Sequence, residues 1–183
     1  MKVYKVNLDV DNYQGLFLDA ENSNASNGDF DCTRKLDGWV PPTVFSLHPK
    51  LKAGDFWAYW DRSGTMVTTP QATAKLGSLL EIAGEVLPLP FDGQTFSLVN
   101  ILECVNCLNT EKSIWFNKDR KIGRPQKYVF HPNRFTTTLF KIPETCSAEI
   151  LALEREEDPF SEFKAFVEAQ KMTGINFKEI WSG

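Results

Sequence analysis

The feature that most constrains the fold is a long, nearly continuous apolar segment, Gln94–Leu108. A strand with apolar side chains on both faces must be covered on both sides, so we predict that this segment lies in the middle of a sheet. Asp92-Gly93, directly before it, is typical of a two-residue hairpin turn. The run Glu85–Phe91 on the other side of that turn contains two prolines and favours an edge strand, because proline cannot donate a backbone hydrogen bond.

Apolar and aromatic patterns predict further strands in the first part of the chain. Residues 1–20 favour two short strands joined at Tyr13-Gln14-Gly15, and a hairpin is expected between the aromatic run Asp55–Trp60 and Thr65–Thr68. The aromatic run is most simply part of the core, and the alternative is an exposed platform for sugars or a partner. Residues 21–38 are polar and predict a loop.

Capping residues predict one helix in the middle of the chain, over residues 69–84. Thr69 is a suitable N-cap, and Pro70 suits the first helical position. Gly84 is expected in the left-handed conformation that ends many helices. Gly77 weakens the middle of this helix by about 1 kcal/mol relative to alanine.

The last third of the chain predicts two helices followed by a strand. The first helix is expected over Ser147–Leu153, and the second begins at Asp158-Pro159 and ends at Gly174. Ile175–Trp181 is expected to be a closing strand. We therefore predict an α+β fold with a mixed, mainly antiparallel sheet, one helix mid-chain and two helices near the C-terminus, in a single domain over residues 1–183.

Composition limits the classes of partner and compartment. The net charge of −4 disfavours general attraction to nucleic acid or anionic membranes and permits a basic partner. No run approaches the ~20 apolar residues of a membrane helix, and Met1–Asp9 lacks the apolar core of a signal peptide, so we expect a cytoplasmic protein without membrane association. In that reducing compartment the four cysteines are expected to be free thiols.

Charge is divided between two neighbouring stretches. Residues 112–141 have a net charge of +7, and residues 144–168 have a net charge of −6. The basic stretch offers an alternative function, nucleic-acid binding through residues 112–134, because aromatic residues lie among its cations. These aromatic residues are Trp115, Phe116, Tyr128 and Phe130. They suit strand cores equally well, the overall charge disfavours nucleic acid, and the simplest explanation is that the two stretches partly neutralise each other.

The sequence predicts no catalytic residue, cofactor or metal site. Cys104 and Cys107 have the spacing of a redox dithiol or half a zinc site, but they lie in a strand pattern and no second pair accompanies them. We therefore expect buried structural thiols. His48 and His131 lack a local signature of a nucleophile–base pair, so we expect a protein without enzymatic activity.

Several blocks follow one another in a characteristic order over residues 50–181. They are Asp55–Trp57, Val86–Pro88 before Gly93, Leu98–Asn109, Glu111–Ser113, Phe140–Pro143, Ser147–Leu153 and Thr173–Phe177. In this order and spacing they resemble the bacterial polymorphic-toxin immunity family numbered eleven, formerly a domain of unknown function. The chain departs from the family at Asn109, where an acid is usual, and at Thr138–Lys141, which replaces an aromatic–arginine pair.

The resemblance implies an α+β protein encoded beside a secreted toxin, which protects the producing cell by binding that toxin. We expect it to occlude the active site of a cognate toxin domain, and an acidic face would suit a basic, nuclease-like toxin. The favoured partner-binding acids are Glu154, Glu156, Glu157, Asp158 and Glu162, followed by Asp29 and Asp31 in the polar loop. The alternatives are an enzyme that reverses a toxin modification and the nucleic-acid-binding module.

Overall fold

The computed structural model describes residues 1–19, 29–46, 48–60, 62–116, 123–155 and 160–183. The strands in these ranges are β1 (Lys2–Leu8), β2 (Gly15–Leu18), β3 (Val44–Ser46), β4 (Phe56–Tyr59), β5 (Thr65–Thr68), β6 (Gly84–Phe91), β7 (Gln94–Ile101), β8 (Ile114–Trp115), β9 (Pro125–Lys127), β10 (Leu139–Phe140), β11 (Leu151–Glu154) and β12 (Ile175–Ser182). The α-helices are α1 (Pro70–Ala83) and α2 (Phe163–Ala169). The start predicted for the second C-terminal helix, Asp158-Pro159, lies outside the described residues, as does part of the polar loop.

The larger sheet has six strands in the spatial order β3-β2-β4-β5-β7-β6. Neighbouring strands are antiparallel except for β2 and β4, which are parallel. Both predicted hairpins are confirmed, and Asp92 and Gly93 turn from β6 to β7 with φ of 49° and 71°. β6 is an edge strand and β7 lies inside the sheet, as their sequences predict.

Helix α1 confirms the predicted mid-chain helix but ends differently. The hydroxyl of Thr69 accepts a hydrogen bond from the backbone N–H of Ala72 at 3.2 Å, so the predicted N-cap is formed. The backbone at Gly77 is not helical (φ 14°, ψ −93°), and the helix is kinked there. Gly84 is extended (φ 171°) rather than left-handed and already belongs to β6, where a Cβ would collide with the carbonyl oxygen of Asn100.

The smaller sheet has four antiparallel strands in the order β10-β11-β1-β12. β1 lies between two strands from the C-terminal part of the chain. Lys2 is opposite Glu154 on β11, and Leu8 is opposite Ile175 on β12. β12 confirms the predicted closing strand. A separate two-stranded sheet, formed by β8 and β9, lies in the basic stretch.

The predicted helix over Ser147–Leu153 is wrong, and α2 is the one helix near the C-terminus in the described ranges. Alternate residues of Ile150–Leu153 pack into cores on opposite sides of the smaller sheet, and all four are buried. A short run that is apolar on both sides does not distinguish a buried strand from a buried helix. Ser147 also has a φ of 56°, whereas an N-cap residue is normally extended.

The apolar segment Gln94–Leu108 forms a shorter strand than predicted. β7 ends at Ile101, and the backbone N–H groups of the next two residues donate to the carbonyl of Ala83 at the end of α1. After that point the segment pairs only through single bridges, between Cys104 and Lys141 and between Leu108 and Phe130. The apolar residues beyond Ile101 therefore contribute to packing without extending the sheet.

Both sheets are covered on both faces. One core contains residues of both helices and the inner faces of both sheets, for example Leu76, Val167 and Phe56. Alternate strand residues face the other way, so that Trp57 of β4 and Leu153 of β11 pack into two separate outer cores. In the described ranges the two larger sheets thus have the α-helices between them, and the chain outside them is largely irregular apart from short elements such as the β8–β9 sheet.

Two segments with little regular secondary structure cover the outer faces of the sheets. Residues 29–46, the first outer segment, place Phe30 and Trp39 on the larger sheet and end in its edge strand β3, whose Val44 packs in the same core. The described part of residues 105–135, the second outer segment, packs on the smaller sheet with side chains that include Trp115 and Phe135. The helices in the described ranges include none that is both long and apolar enough to cross a membrane.

The substitution Gly174→Ala is expected to destabilise the fold more than Gly93→Ala. Both glycines have positive φ, 87° and 71°, but a Cβ at Gly174 would also collide with the carbonyl oxygen of Phe56, whereas Gly93 faces open space. We expect unfolding free energies to fall by about 1 kcal/mol for Gly93→Ala and by about 3 kcal/mol for Gly174→Ala in urea denaturation. Gly38→Ala, which meets neither obstacle, is the control, and equal losses at Gly174 and Gly93 would contradict the analysis.

Candidate partner-binding surface

Glu154, one of the predicted partner-binding acids, is bound inside the fold. It accepts hydrogen bonds from the Tyr4 hydroxyl at 2.8 Å and from the Lys164 Nζ at 3.0 Å, and its side chain is 14% exposed. Burial opposes its charge, but these hydrogen bonds outweigh burial and hold the pKa of the Glu154 carboxyl below its ordinary value. Its negative charge is therefore compensated within the molecule.

Glu162 is also engaged within the fold. Its buried side chain accepts a hydrogen bond from the backbone N–H of Arg155 at 2.9 Å, directly before α2. Glu156, Glu157 and Asp158 lie outside the described residues. Of the predicted partner-binding acids near the C-terminus, the structure describes Glu154 and Glu162, and neither presents an exposed carboxylate.

Asp29 and Asp31, in the first outer segment, are exposed. The side chain of Asp29 is 90% exposed, and its Oδ1 lies 4.0 Å from the Nε of Arg62. Asp31 accepts a hydrogen bond from the Thr33 hydroxyl at 2.6 Å, which is the main cause of the lowered pKa of its carboxyl. The predicted role of both acids in partner binding is compatible with these positions and stays a prediction.

A buried carboxylate, Glu85 of β6, holds the first outer segment against the larger sheet. Its two oxygens accept hydrogen bonds from the backbone N–H of Lys35 (2.8 Å), the backbone N–H of Leu36 (3.4 Å) and the Asn100 side-chain amide (2.9 Å). Burial opposes ionisation, but the hydrogen bonds prevail and hold the pKa of the Glu85 carboxyl below its ordinary value. The position of Asp29 and Asp31 therefore depends on a charge inside the sheet.

The basic stretch contributes its aromatic residues mainly to the core. Trp115, Tyr128 and Phe130 are buried, while Phe116 is 76% exposed. Arg124 forms an ion pair with Glu149, which belongs to the acidic stretch, at 2.9 Å. The two stretches thus neutralise each other at this point, and a single described aromatic ring of the stretch remains open for stacking on a base.

The four cysteines are free, in differing surroundings. Cys107 is buried as predicted, and burial raises the pKa of its thiol to about 12. Cys104 is exposed, so the expectation of two buried thiols is wrong for this residue. His48 is exposed, and His131 precedes the 3-10 turn Pro132–Arg134. Among the described residues, no group of three or more His, Cys, Asp and Glu side chains is placed to hold a metal ion.

A cleft of about 510 Å³, the inter-sheet cleft, lies between β1 of the smaller sheet and the β4–β5 hairpin of the larger sheet. Its charged lining residues are Lys5, Arg62, Arg124 and Glu149, and Trp60 contributes an aromatic wall. A second cleft of about 430 Å³ shares Lys5, Arg124 and Glu149 with it and extends along the second outer segment. Among the described residues, three cations and one carboxylate thus line the inter-sheet cleft.

Glu149 connects the two clefts through its hydrogen bonds. The carboxylate is 1% exposed, and one oxygen accepts hydrogen bonds from the Lys5 Nζ at 2.7 Å and the Arg124 Nε at 2.9 Å. Its other oxygen accepts one from the Tyr128 hydroxyl at 2.5 Å. Burial, together with the adjacent carboxylate, raises the pKa of Tyr128. The buried acid therefore fixes a lysine and an arginine at the opening of the clefts.

An exposed row of aromatic rings begins at the inter-sheet cleft. Trp60 stacks on Phe17 with a centroid distance of 5.5 Å, and Phe17 stacks on Phe45 at 6.1 Å. Trp60 and Phe45 are 44% and 42% exposed. Phe56–Tyr59 of the aromatic run is buried, as predicted for core residues. Trp60, the last residue of the run, is on the surface, as the alternative of an exposed platform requires.

None of the known family models matches this chain, and no curated protein matches it. The resemblance to the immunity family therefore stays a prediction. Sequence reasoning missed the inter-sheet cleft, although one signal was present. Glu149 is an acid directly before the apolar run Ile150–Leu153, where burial requires a compensating partner.

The stabilising effect of Glu85 is expected to disappear in acid. Because the folded-state pKa of this carboxyl is lowered, its contribution is fully present above the unfolded pKa, about 4.3, and is lost as the pH falls through the folded value. We expect Glu85→Gln to be less stable than the wild type by about 2 kcal/mol near pH 7, with a smaller difference near pH 3, in urea unfolding. The pKa values of Asp31 and Glu154 are also lowered, but both residues are present in the wild type and in Glu85→Gln. Their pH-dependent contributions therefore cancel when the two unfolding free energies are subtracted.

Glu81→Gln, on the exposed side of α1, is the matched control for this comparison. It removes one negative charge without removing a buried hydrogen-bond acceptor, so its unfolding free energy should stay close to that of the wild type. A stability difference for Glu85→Gln that is unchanged between neutral and acid pH would show that the charge of Glu85 does not stabilise the fold.

Proposed function

We propose that this protein is an immunity protein that binds a cognate secreted toxin domain and blocks its active site. The sequence resemblance supplies the class of partner. The observation that carries the proposal is the exposed aromatic row Trp60–Phe17–Phe45 beside the arginine-containing inter-sheet cleft. Such a combination favours binding of another macromolecule.

Aromatic and arginine side chains are enriched where protein interfaces gain most of their free energy. Trp60 is stacked on Phe17 and is therefore held in one orientation before any partner arrives. A side chain fixed in this way loses less conformational entropy on binding than a mobile one. The row thus has the properties of a preorganised anchor for a partner surface.

The exposed acids of the first outer segment extend the proposed contact surface. Arg62 connects the two regions, because it lines the inter-sheet cleft and lies near Asp29. A basic toxin surface would meet Asp29 and Asp31 beside the aromatic row, and opposite charges would speed the encounter. In this arrangement the acids of the first outer segment replace Glu154 and Glu162, which are bound internally.

The proposed mechanism is steric. The aromatic row anchors the toxin, the acids orient it, and the edge of the larger sheet covers the residues that carry out its reaction. A toxin that cleaves nucleic acid suits this arrangement, because its substrate-binding surface is basic and would be attracted to the same carboxylates.

The proposal is tested by co-purification with the product of the neighbouring gene and by survival of cells that produce both proteins. We expect a stable complex and full protection by the wild type. Trp60→Ala is expected to weaken binding about 30-fold, since it removes a central anchor. Ile82→Ala, which truncates an apolar side chain of α1 that is 68% exposed, is the matched control and should bind normally.

Three results would count against the proposal. Normal killing by the toxin in cells that contain the wild-type protein would overturn the function. Protection with unchanged affinity in Trp60→Ala would keep the function but exclude the aromatic row as the contact surface. Equal weakening by Trp60→Ala and Ile82→Ala would show that neither effect is specific to the row.

A further inference from the structure

Lys141 is a charged side chain in the interior of the fold. It follows β10 and is 0% exposed, and its Nζ donates a hydrogen bond to the carbonyl oxygen of Phe30 at 2.6 Å. None of the ion pairs formed among the described residues includes it. Burial lowers the pKa of its ammonium group, whereas the thiols of Cys32 and Cys104 and the carboxylate of Asp31 act in the opposite direction. The groups around this ammonium that can carry a negative charge thus include two cysteines and one acid.

The backbone brings these two cysteines to the same place. Cys32 lies between Phe30, whose carbonyl binds Lys141, and Thr33, whose carbonyl accepts a hydrogen bond from the Asn100 side chain at 2.9 Å. Cys104 follows shortly after Asn100 in the chain and forms a β-bridge with Lys141. Both cysteines therefore lie on segments that contact this one lysine, and the Cys32 thiol is near enough to Cys104 to affect its ionisation.

The surroundings of Cys104 oppose its ionisation. Although the residue as a whole is exposed, partial burial of its thiol and, next, the neighbouring Cys32 raise the pKa of that thiol, whose Sγ lies 3.9 Å from the Ser147 hydroxyl. Cys104 therefore stays protonated to higher pH. Cys32 is half-buried and has a left-handed backbone (φ 70°), which is uncommon for a residue other than glycine. Because a thiolate is the reactive form of cysteine, Cys32 is the better candidate to react first.

We propose that Cys32 and Cys104 form an oxidation site, in which a peroxide converts the two thiols into a disulfide beside Lys141. The Cys32 thiolate attacks hydrogen peroxide, so that an S–O bond forms, the O–O bond breaks and hydroxide leaves. Cys104 then attacks the sulfur of this sulfenic acid, an S–S bond forms, and a second hydroxide leaves. Two protons from the thiols convert both hydroxides into water, and two electrons pass from sulfur to peroxide.

The disulfide would join the first outer segment covalently to the chain that follows β7. In the thiol form that segment is held through Glu85, Asn100 and Lys141, all by hydrogen bonds. The proposal concerns this chain alone and does not depend on the proposed toxin partner. It assigns a chemical role to the one described place where a buried lysine and two thiols meet.

The site is tested on the full chain by treatment with hydrogen peroxide, alkylation of the remaining thiols, proteolysis and mass spectrometry. We expect a peptide pair joined through Cys32 and Cys104, lighter than the two thiol peptides by two hydrogen atoms and separated again by dithiothreitol. Cys146→Ser should keep this product, and Cys32→Ser should abolish it. Alkylation of both cysteines after peroxide treatment, or preferential oxidation of Cys146, would overturn the proposal.

The order of the reaction is tested in Cys104→Ser, where the sulfenic acid cannot proceed to the disulfide. We expect the sulfenic-acid reagent dimedone to label Cys32 in this variant, and to leave Cys104 unlabelled in Cys32→Ser. Dimedone labelling of Cys104 in Cys32→Ser, with Cys32 unlabelled in Cys104→Ser, would show that Cys32 is not the residue that reacts first.

Discussion

The fold depends on covering four apolar sheet faces with only two helices in the described ranges. The helices fill the space between the sheets, so the outward faces are covered by chain that has little regular secondary structure. Such chain cannot satisfy its own backbone polar groups. Three buried charged side chains help to hold these outer segments in place. Glu85 accepts hydrogen bonds from the N–H groups of residues 35 and 36, and Lys141 donates one to a carbonyl of the first outer segment. Glu149 binds Arg124 and Tyr128 of the second outer segment.

Elements with short-range signals could be predicted from the sequence. The turn Asp92-Gly93, the cap at Thr69 and the alternation of β12 each depend on residues within one turn or one strand. The strand β11 could not be distinguished from a helix, because the four apolar residues Ile150–Leu153 satisfy both periods. The prediction for Gly84 gave the wrong reason for a glycine at this position. Glycine is needed because a Cβ would collide with the carbonyl oxygen of Asn100 on the neighbouring strand, and not because the helix ends in a left-handed residue.

The candidate surface was less accessible to sequence reasoning, because its charges are arranged by distant pairing. Lys5 and Glu149 are 144 residues apart, and the hydrogen bond between them is decided by the register of the smaller sheet. A sequence does not show whether an acidic side chain is exposed to solvent or is hydrogen-bonded within the fold. Glu154 becomes an internal acceptor only once β1 brings the Tyr4 hydroxyl to it.

The central position of β1 has a consequence for biosynthesis. Both of its neighbours, β11 and β12, are translated much later, and the Tyr4–Glu154 hydrogen bond joins residues 150 positions apart. The smaller sheet therefore cannot assemble during synthesis until β11 and β12 have emerged from the ribosome, and long-range pairing of this kind slows folding. Until then β1 lacks both of its neighbouring strands, and its apolar side chains are open to chaperones.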